Sequence, residues 1–323
     1  MSQLPLDLGQ LRSFYALGQA GSFVGAAERL TRTPSAVNHA IRKLEQSAGV
    51  RLVERRGRGV RLTEDGQRLF AACETVYATV EGVSETLGRR SGAARGRLRL
   101  GAPPEFGCSV LMRHIGDFVR HNPDIQLDFT LSDDLLTPLR RGEIDVAIDC
   151  VEHFQPDLQK VPLFRESYMV VCAPSFRRER RLRRPADLSG VPLLSLDEAG
   201  AWWHRLLRAV PETARPELRR VTAVNHIRAM ITAAVEGIGV ALVPSYSVIP
   251  ELEGKLLVQL FPHIDLPEDR FRIYQKKTRA TLEKHRKLVA YLQSINPAEF
   301  GSEADRVKAV GRNPRRLLAR KSF

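Results

Sequence analysis

Cysteine is scarce in this chain of 323 residues: only Cys73, Cys108, Cys150 and Cys172, all far apart. No C-x-x-C pair suggests zinc and no dense pattern suggests a disulfide framework. The four are expected to be reduced and packed as small hydrophobes, unless a stabilised, exposed thiolate makes one an oxidation sensor. Catalytic signatures are missing as well. There is no G-x-G-x-x-G after the first strand of the α/β region, no P-loop, no G-x-S-x-G and no metal-ligand cluster, and Gly237-Ile-Gly239 alone is a weak signal. An enzyme, a cofactor and a bound metal are therefore not expected. No apolar run reaches the length that spans a bilayer, and Met1 leads into Gln, Pro and Asp without an apolar signal core, so a cytoplasmic chain with no membrane partner is expected. Acidic residues are the minority charge, 37 against 50 Lys and Arg, giving a net +13 and an isoelectric point near 10. That surplus fits a polyanionic partner, although a membrane surface or an acidic protein would also suit it. The 43% of hydrophobic residues is enough for more than one packed core.

What is present concentrates between residues 22 and 63. Ser22 can cap a helix that places Phe23, Ala26, Ala27 and Leu30 on one face. A second helix begins at Thr33-Pro34, with Thr33 as the cap and Pro34 at the first position, where its missing N–H is not needed. Its inward stripe is Val37, Ala40, Ile41 and Leu44, leaving Ser35, Asn38, His39, Arg42 and Lys43 toward solvent. Small residues at 26, 27 and 36 let the helices cross closely, and Ser35, Asn38 and His39 offer donors and acceptors to base edges. An exposed polar face without a partner is the alternative for such a helix taken alone.

The following segment narrows the choice. Arg51–Arg55 and Val60–Leu62 read as two short strands around the turn Arg56-Gly57-Arg58-Gly59, and five arginines between 51 and 61 face one acid, Glu54. So dense a patch repels itself unless a polyanion is near, and guanidinium groups match phosphates bidentately. Reader helix and Arg-rich hairpin together make a winged helix-turn-helix.

Here the chain resembles the LysR-type transcriptional regulators. The matching residues are Leu8 to Gly21 with Gln10-Leu-Arg-Ser-Phe14, Gly21-Ser-Phe23, Ala26-Ala-Glu-Arg-Leu30, Ser35-Ala-Val37, Ile41-Arg-Lys-Leu-Glu45, Gly49-Val-Arg-Leu52, Glu54-Arg55 and Arg61-Leu-Thr63-Glu-Asp-Gly66, with a looser match to about residue 293. The resemblance implies base or phosphate contacts from Pro34, Ser35, Asn38 and His39, and wing contacts from Arg55 and Arg58. Asn38 stands for a common Ser and His39 for a common Arg, which bears on operator preference. The full DNA-contact set expected is Thr33, Pro34, Ser35, Asn38, His39, Arg42, Lys43, Arg55, Arg56 and Arg58.

After the wing, Thr63 can cap a helix whose first turn holds Glu64 and Asp65. Along it Leu69, Cys73, Val76, Val80, Val83 and Leu87 recur in steps of four and three, the seam of a coiled coil and the expected dimerisation face. Packing on its own domain is the alternative. Two-fold pairing implies an inverted-repeat operator, and the family forms dimers through this helix and often tetramers.

Ser91-Gly-Ala-Ala-Arg-Gly96 reads as a hinge, after which helices and strands alternate: strands near Leu98, Ile125–Leu131, Ile144–Ile148, Tyr168–Cys172, Pro192–Ser195, Leu218–Val224, Val240–Val243 and Phe271–Tyr274. Helices are expected at Phe106–Arg120, with Val110, Leu111, Ile115, Phe118 and Val119 inward, and at Leu135–Arg141, Ala201–Val210, His226–Glu236 and a last one ending near Ile295. Such units imply mostly parallel sheets, and the family's effector domain is two-lobed, like the periplasmic binding proteins. The expected layout is 1–63 winged helix-turn-helix, 64–90 dimerisation linker helix, 91–96 hinge and 97–296 two-lobed effector domain. Within it lobe I is about 97–165 plus 264–296 and lobe II about 166–263. Residues 297–323, including seven Lys or Arg against two acids from 301 onward, form a basic flexible tail.

A cleft between lobes would hold a small molecule. Relatives often offer Ser or Thr hydroxyls after the first strand to an anion, but here the loop reads Pro103-Pro104-Glu105-Phe106. Prolines remove donors and Glu105 repels a carboxylate, so a neutral, aromatic or cationic effector is expected, or one anchored by Trp202, Trp203, Asn225 or His226; Asp149 and Cys150 are further candidates. Each has a plain structural alternative, Glu105 as a first-turn charge and the tryptophans as core. The function expected is sequence-specific regulation of transcription from inverted-repeat promoter sites on double-stranded DNA, as a dimer or tetramer, with RNA polymerase as a partner by family resemblance. The alternative is a ligand-independent or nonspecific DNA-binding protein whose C-terminal domain only oligomerises.

Overall fold

The computed structural model describes residues 6–56, 59–86 and 94–295. Gly57, Arg58, Leu87, positions 91–93 of the expected hinge and the basic tail lie outside the described residues.

The N-terminal unit is three helices, a hairpin and a long helix. Asp7 caps α1 (Leu8–Ala20) by accepting from Gln10 N at 2.9 Å. Ser22 caps α2 (Phe23–Leu30) through Gly25 N at 3.1 Å, and Thr33 caps α3 (Pro34–Ala48) through Ala36 N at 3.2 Å. Each such side chain satisfies one of the otherwise orphaned N–H groups of a first helical turn. Gly21 and Gly49 end α1 and α3 with left-handed backbone. Val37, Ile41 and Leu44 of α3 are buried with Phe14, Leu17, Ala26 and Ala27 in one core, and a fully buried Leu or Ile contributes about 1.5–3 kcal/mol. The hairpin pairs β1 (Val53–Arg56) with β2 (Gly59–Leu62), antiparallel, Glu54 opposite Arg61.

Thr63 starts α4 (Glu64–Thr86) by accepting from Gly66 N at 3.0 Å while donating to Arg51 O at 2.7 Å. The expected seam divides along this helix. Cys73 is buried and Leu69 half-buried in the core of their own N-terminal unit, whereas Val76, Val80 and Val83 are exposed. Period alone placed all six on one stripe; Tyr15 and Phe70 then cover its first turns.

Two five-stranded sheets follow, one per lobe. Lobe I is built from β3 (Gly96–Ala102), α5 (Pro104–Phe106), a π-helical turn at Gly107–Leu111, α6 (Met112–His121), β4 (Ile125–Leu131), α7 (Leu136–Arg140), β5 (Val146–Asp149) and β6 (Leu158–Glu166). Lobe II contains β7 (Tyr168–Cys172), α8 (Pro174–Glu179), β8 (Leu193–Ser195), α9 (His204–Ala209), β9 (Val221–Ala223), α10 (Ile227–Val235), β10 (Val240–Pro244), α11 (Ile249–Glu253) and β11 (Val258–Leu260). The chain then returns to lobe I through β12 (Asp269–Lys276) and α12 (Glu283–Ser294). Strand orders are β4-β3-β5-β12-β6 and β11-β7-β10-β8-β9.

The sheets are mixed rather than mostly parallel. β3 runs parallel to β4 and β5, and β8 to β9 and β10, as strand-helix-strand units require. β12 is antiparallel to β5 and β6, and β7 to β10 and β11. These exceptions include the strands by which the chain changes lobes. β6 was not visible in the sequence because Pro162 interrupts it; as an edge strand it tolerates the missing donor, with a register shift opposite at Phe271/Arg272. Val119, expected inward, is exposed, since the buried stripe of α6 centres on Ile115 and Phe118.

Helix α4 docks on lobe I through carboxylates seven residues apart. Glu74 pairs with Lys276, which also donates to Arg140 O at 3.0 Å, and Glu81 accepts from Arg279 at 3.0 Å and Lys284 at 2.5 Å. Lys276 and Lys284 are both buried. Burial opposes ionisation of Glu81, yet Arg279 and Lys284 hold its carboxyl below the usual range. Beside it, against the same penalty, Arg99 holds Asp145 below its usual range through Nε and Nη2 contacts of 2.9 and 2.8 Å.

Close packing of α4 on the wing depends on Gly66, where an added Cβ would stand 2.0 Å from the Leu52 carbonyl oxygen. Backbone at that distance cannot yield cheaply, so Gly66→Ala is expected to destabilise the N-terminal unit by about 1–3 kcal/mol. A urea titration that leaves the midpoint unchanged would contradict this packing.

Candidate nucleic-acid interface and ligand cleft

Helix α3 separates its residues by chemistry. Thr33, Pro34, Ser35, His39, Arg42 and Lys43 are exposed and Asn38 is half-buried, while the apolar stripe faces the core. Asn38, Arg42 and Gln46 border a groove of about 850 Å³ whose other bank is Arg51 and Val53 beside the wing. The one carboxylate on that helix, Glu45, is turned to structure: it accepts from Leu52 N at 2.8 Å and Val53 N at 3.2 Å, bracing the wing against the helix. This brace has no periodic signature and was not read from sequence. Arg55 and Arg56 lie on β1, and Arg58 is outside the described residues. Helix α3 and the groove thus present the hydrogen-bonding side chains of Asn38 and Gln46 beside the cations Arg42 and Arg51, an arrangement suited to base edges between phosphates.

The cleft is a second, separate cavity of about 310 Å³. Pro104, Glu105 and Cys150 line it from lobe I; Trp202, Asn225 and His226 line it from lobe II. Six of the nine expected effector contacts therefore meet in one place. Three do not line it. Phe106 is buried behind the wall, stacked near Phe164 and Phe271. Trp203 is fully buried in lobe II and donates its indole N–H to Leu194 O at 2.9 Å, as core. Asp149 is occupied by its own loop, accepting from Val151 N at 2.9 Å and meeting His153 Nε2 at 2.8 Å.

Glu105 has a partner that the sequence did not show. Arg228 of α10 donates to it at 2.6 Å and to Ser247 O at 2.9 Å, and with its other nitrogen to Glu251 at 2.7 Å. The buried carboxylate is thereby compensated by a guanidinium from the opposite lobe. Asp133, Glu166, Tyr246 and Phe271 are further lining residues missed by sequence reading.

Glu166 closes β6 where the chain crosses to lobe II. It accepts from Tyr246 at 2.8 Å and shares with Asp269 the single hydroxyl proton of Tyr168, whose oxygen is 2.8 Å from the Asp269 carboxylate; Arg205 pairs with Asp269 at 2.5 Å. Burial pushes the Glu166 carboxyl up from 4.5 to about 7, although both tyrosine hydroxyls favour the ion. Burial, with Glu166 nearby, also raises Cys150 far above the usual thiol, and burial alone pushes Cys172 up to about 11. Neither is a reactive thiolate. Cys108, expected to be packed, is exposed. Among the described residues no group of three or more His, Cys, Asp or Glu could hold a metal, and no helix is long and apolar enough to cross a membrane.

Between pH 4.5 and 7 folded Glu166 keeps a proton that the unfolded chain releases. Its contribution to stability is complete below about pH 4.5 and is lost as pH rises through 7. Glu166→Gln is therefore expected to lose less stability than the parent chain between pH 5 and 8. Urea midpoints with the same pH dependence in both would contradict the buried, protonated carboxyl.

Two family models match the chain: "Bacterial regulatory helix-turn-helix protein, lysR family" over residues 8–67 and "LysR substrate binding domain" over residues 91–295. Among curated proteins, the HTH-type transcriptional regulator PerR of Escherichia coli is 31% identical over 261 residues, covering 80% of this chain and 84% of that protein. The glycine cleavage system transcriptional activator of the same organism is 29% identical over 285 residues, covering 88% and 92%. Among solved structures, full-length OxyR from Pseudomonas aeruginosa superposes with a TM-score of 0.69 at 21% identity, and ArgP from Mycobacterium tuberculosis with 0.70 at 22%. Each covers 92% of this chain and 98% of its own, so the likeness extends through the whole fold. With the helix-turn-helix and the substrate-binding domain both matched, the chain belongs to the LysR family: it is a transcriptional regulator with an effector-binding domain, not an enzyme.

Proposed function

We propose that this regulator binds inverted-repeat promoter sites on double-stranded DNA as a dimer or tetramer and answers to a small molecule held between its lobes. The observation that carries the DNA-binding part is the division of α3: Val37, Ile41 and Leu44 are anchored in the core while Ser35, His39, Arg42 and Lys43 stand exposed beside a groove. Asn38, His39 and Ser35 read base edges; Arg42, Lys43 and the wing arginines Arg55, Arg56 and Arg58 grip phosphates, with Thr33 and Pro34 presenting the first turn. Val76, Val80 and Val83, exposed along two turns of α4, supply the seam for a second copy. Effector binding in the cleft changes the arrangement of the copies, and through it the spacing and bend imposed on promoter DNA and the contact with RNA polymerase. Such coupling requires different effector affinities in the two arrangements.

Gel shifts and footprints on the DNA upstream of the chain's own gene, with excess random duplex, test the reading. Arg42→Ala is expected to weaken binding on every duplex and to reduce the salt slope by about 0.9, the value of one lost phosphate contact. Asn38→Ala should change base preference and leave that slope in place. Uniform losses from both would remove the division between reader and clamp.

Val80→Asp places a charge in the proposed seam. The variant is expected to sediment as a monomer at micromolar concentration and to bind operator DNA about 100-fold more weakly, since pairing two readers multiplies affinity by effective concentration. An unchanged sedimentation coefficient would exclude this face as the dimer contact.

A further inference from the structure

The lining of the cleft carries an electrostatic sign. Three carboxyl groups, Glu105, Asp133 and Glu166, border the cavity, and none of its lining residues is Lys or Arg. Trp202, Tyr246 and Phe271 add aromatic surface. Pro103 and Pro104, at the mouth of the first strand, have no N–H to give an anion. Glu105 is neutralised by Arg228, and Glu166 is held by two tyrosine hydroxyls, but no side chain among the described residues pairs with exposed Asp133.

We propose that the cleft takes a small organic cation, a protonated amine on an apolar or aromatic body, with the ammonium between the aromatic wall and the Asp133 and Glu166 carboxyls. This rests on the reading of the cleft as the effector site and names the class of effector. An ammonium over aromatic faces is attracted by their quadrupole, and a carboxylate at the same place adds a charge-assisted hydrogen bond. The cavity of about 310 Å³ lies at the small end of ligand pockets, which sets the scale to an amine with a ring or a short chain. An anionic effector of that size would meet the unpaired Asp133 carboxylate and no Lys or Arg in the lining.

Proton linkage gives the proposal a second signature. The groups facing Glu166 are the Tyr168 and Tyr246 hydroxyls, the Asp269 carboxyl, the Arg205 guanidinium and the Cys150 thiol. A cation placed there favours the ionised form, so binding should release a proton and tighten as pH rises from 6 to 8.

The test is calorimetry on the purified full-length protein with three probes of one shape: phenethylamine, 2-phenylethanol and phenylacetate. Phenethylamine is expected to bind at least tenfold more tightly than 2-phenylethanol, with phenylacetate undetected. Its apparent enthalpy should change with the ionisation enthalpy of the buffer, reporting the released proton. Asp133→Asn, on an exposed loop and checked for an unchanged melting temperature, should weaken the amine about tenfold. Phenylacetate or 2-phenylethanol binding as tightly as the amine overturns the cation assignment and leaves the effector reading standing. Failure of all three probes to bind overturns both.

Discussion

A carboxylate taken out of water has to be met by a cation, and α4 carries two of them, Glu74 and Glu81, to a part of lobe I where Lys276, Arg279 and Lys284 wait. The seam is buried on the lobe side, so neither partner can be separated and left dry without a desolvation penalty of several kcal/mol per ion. That constraint fixes α4 to one face of the effector domain. Arg99 and Asp145 extend the network inward, and Asp145 lies one residue before β5.

Three neighbouring strands of lobe I run from this seam to the cleft. β3 passes from Arg99 to the Pro103 loop, and β5 from Asp145 to Cys150. β12, running the other way, has Asp269 and Phe271 near the lobe crossing and Lys276 in the seam. At about 3.3 Å per residue, the seven steps of β12 span roughly 23 Å. A pleated, hydrogen-bonded sheet is stiff along its strands. Under the proposed function, movement at the cleft end would therefore reach α4 as displacement of a packed element rather than being absorbed locally. The effector's place in the proposed function needs a path of this kind, and the sheet order β3-β5-β12 provides it.

What was legible in the sequence was whatever repeats with a short period or sits at a cap. Ser22, Thr33 and Thr63 announce their helices because one oxygen must meet one free N–H a few residues on. The exposed polar face of α3 followed from a 3.6-residue period. Pairings distant in sequence were not legible. Nothing near Glu105 points to Arg228, 123 positions away, and without it the carboxylate reads as free to repel an anion. Adjacent tryptophans part company for the same reason: Trp203 fills a lobe II core already built from Leu193, Val240 and Leu242, which leaves Trp202 for the cleft. The α4 stripe was continuous in sequence, but whether a given position meets its own domain or a second chain depends on what else covers it.

Arg228 also bears on how the cleft can work. Its guanidinium belongs to lobe II, and its ion pair with Glu105 and hydrogen bond to Ser109 reach into lobe I, so the lobes are already tied across one wall before any ligand arrives. A ligand that shifts the lobe angle must do so with this tie intact or replace it, because a buried Glu105 left alone would carry an uncompensated charge. Under the proposed function the tie would serve as a pivot: closure about it would move the Asp133 and Trp202 sides of the cavity, as a rotation about Arg228 and the two crossings at Glu166 and Asp269. Rotation of that kind has few alternative paths, which favours two discrete arrangements over a continuum and makes differential binding by a small molecule sufficient to choose between them.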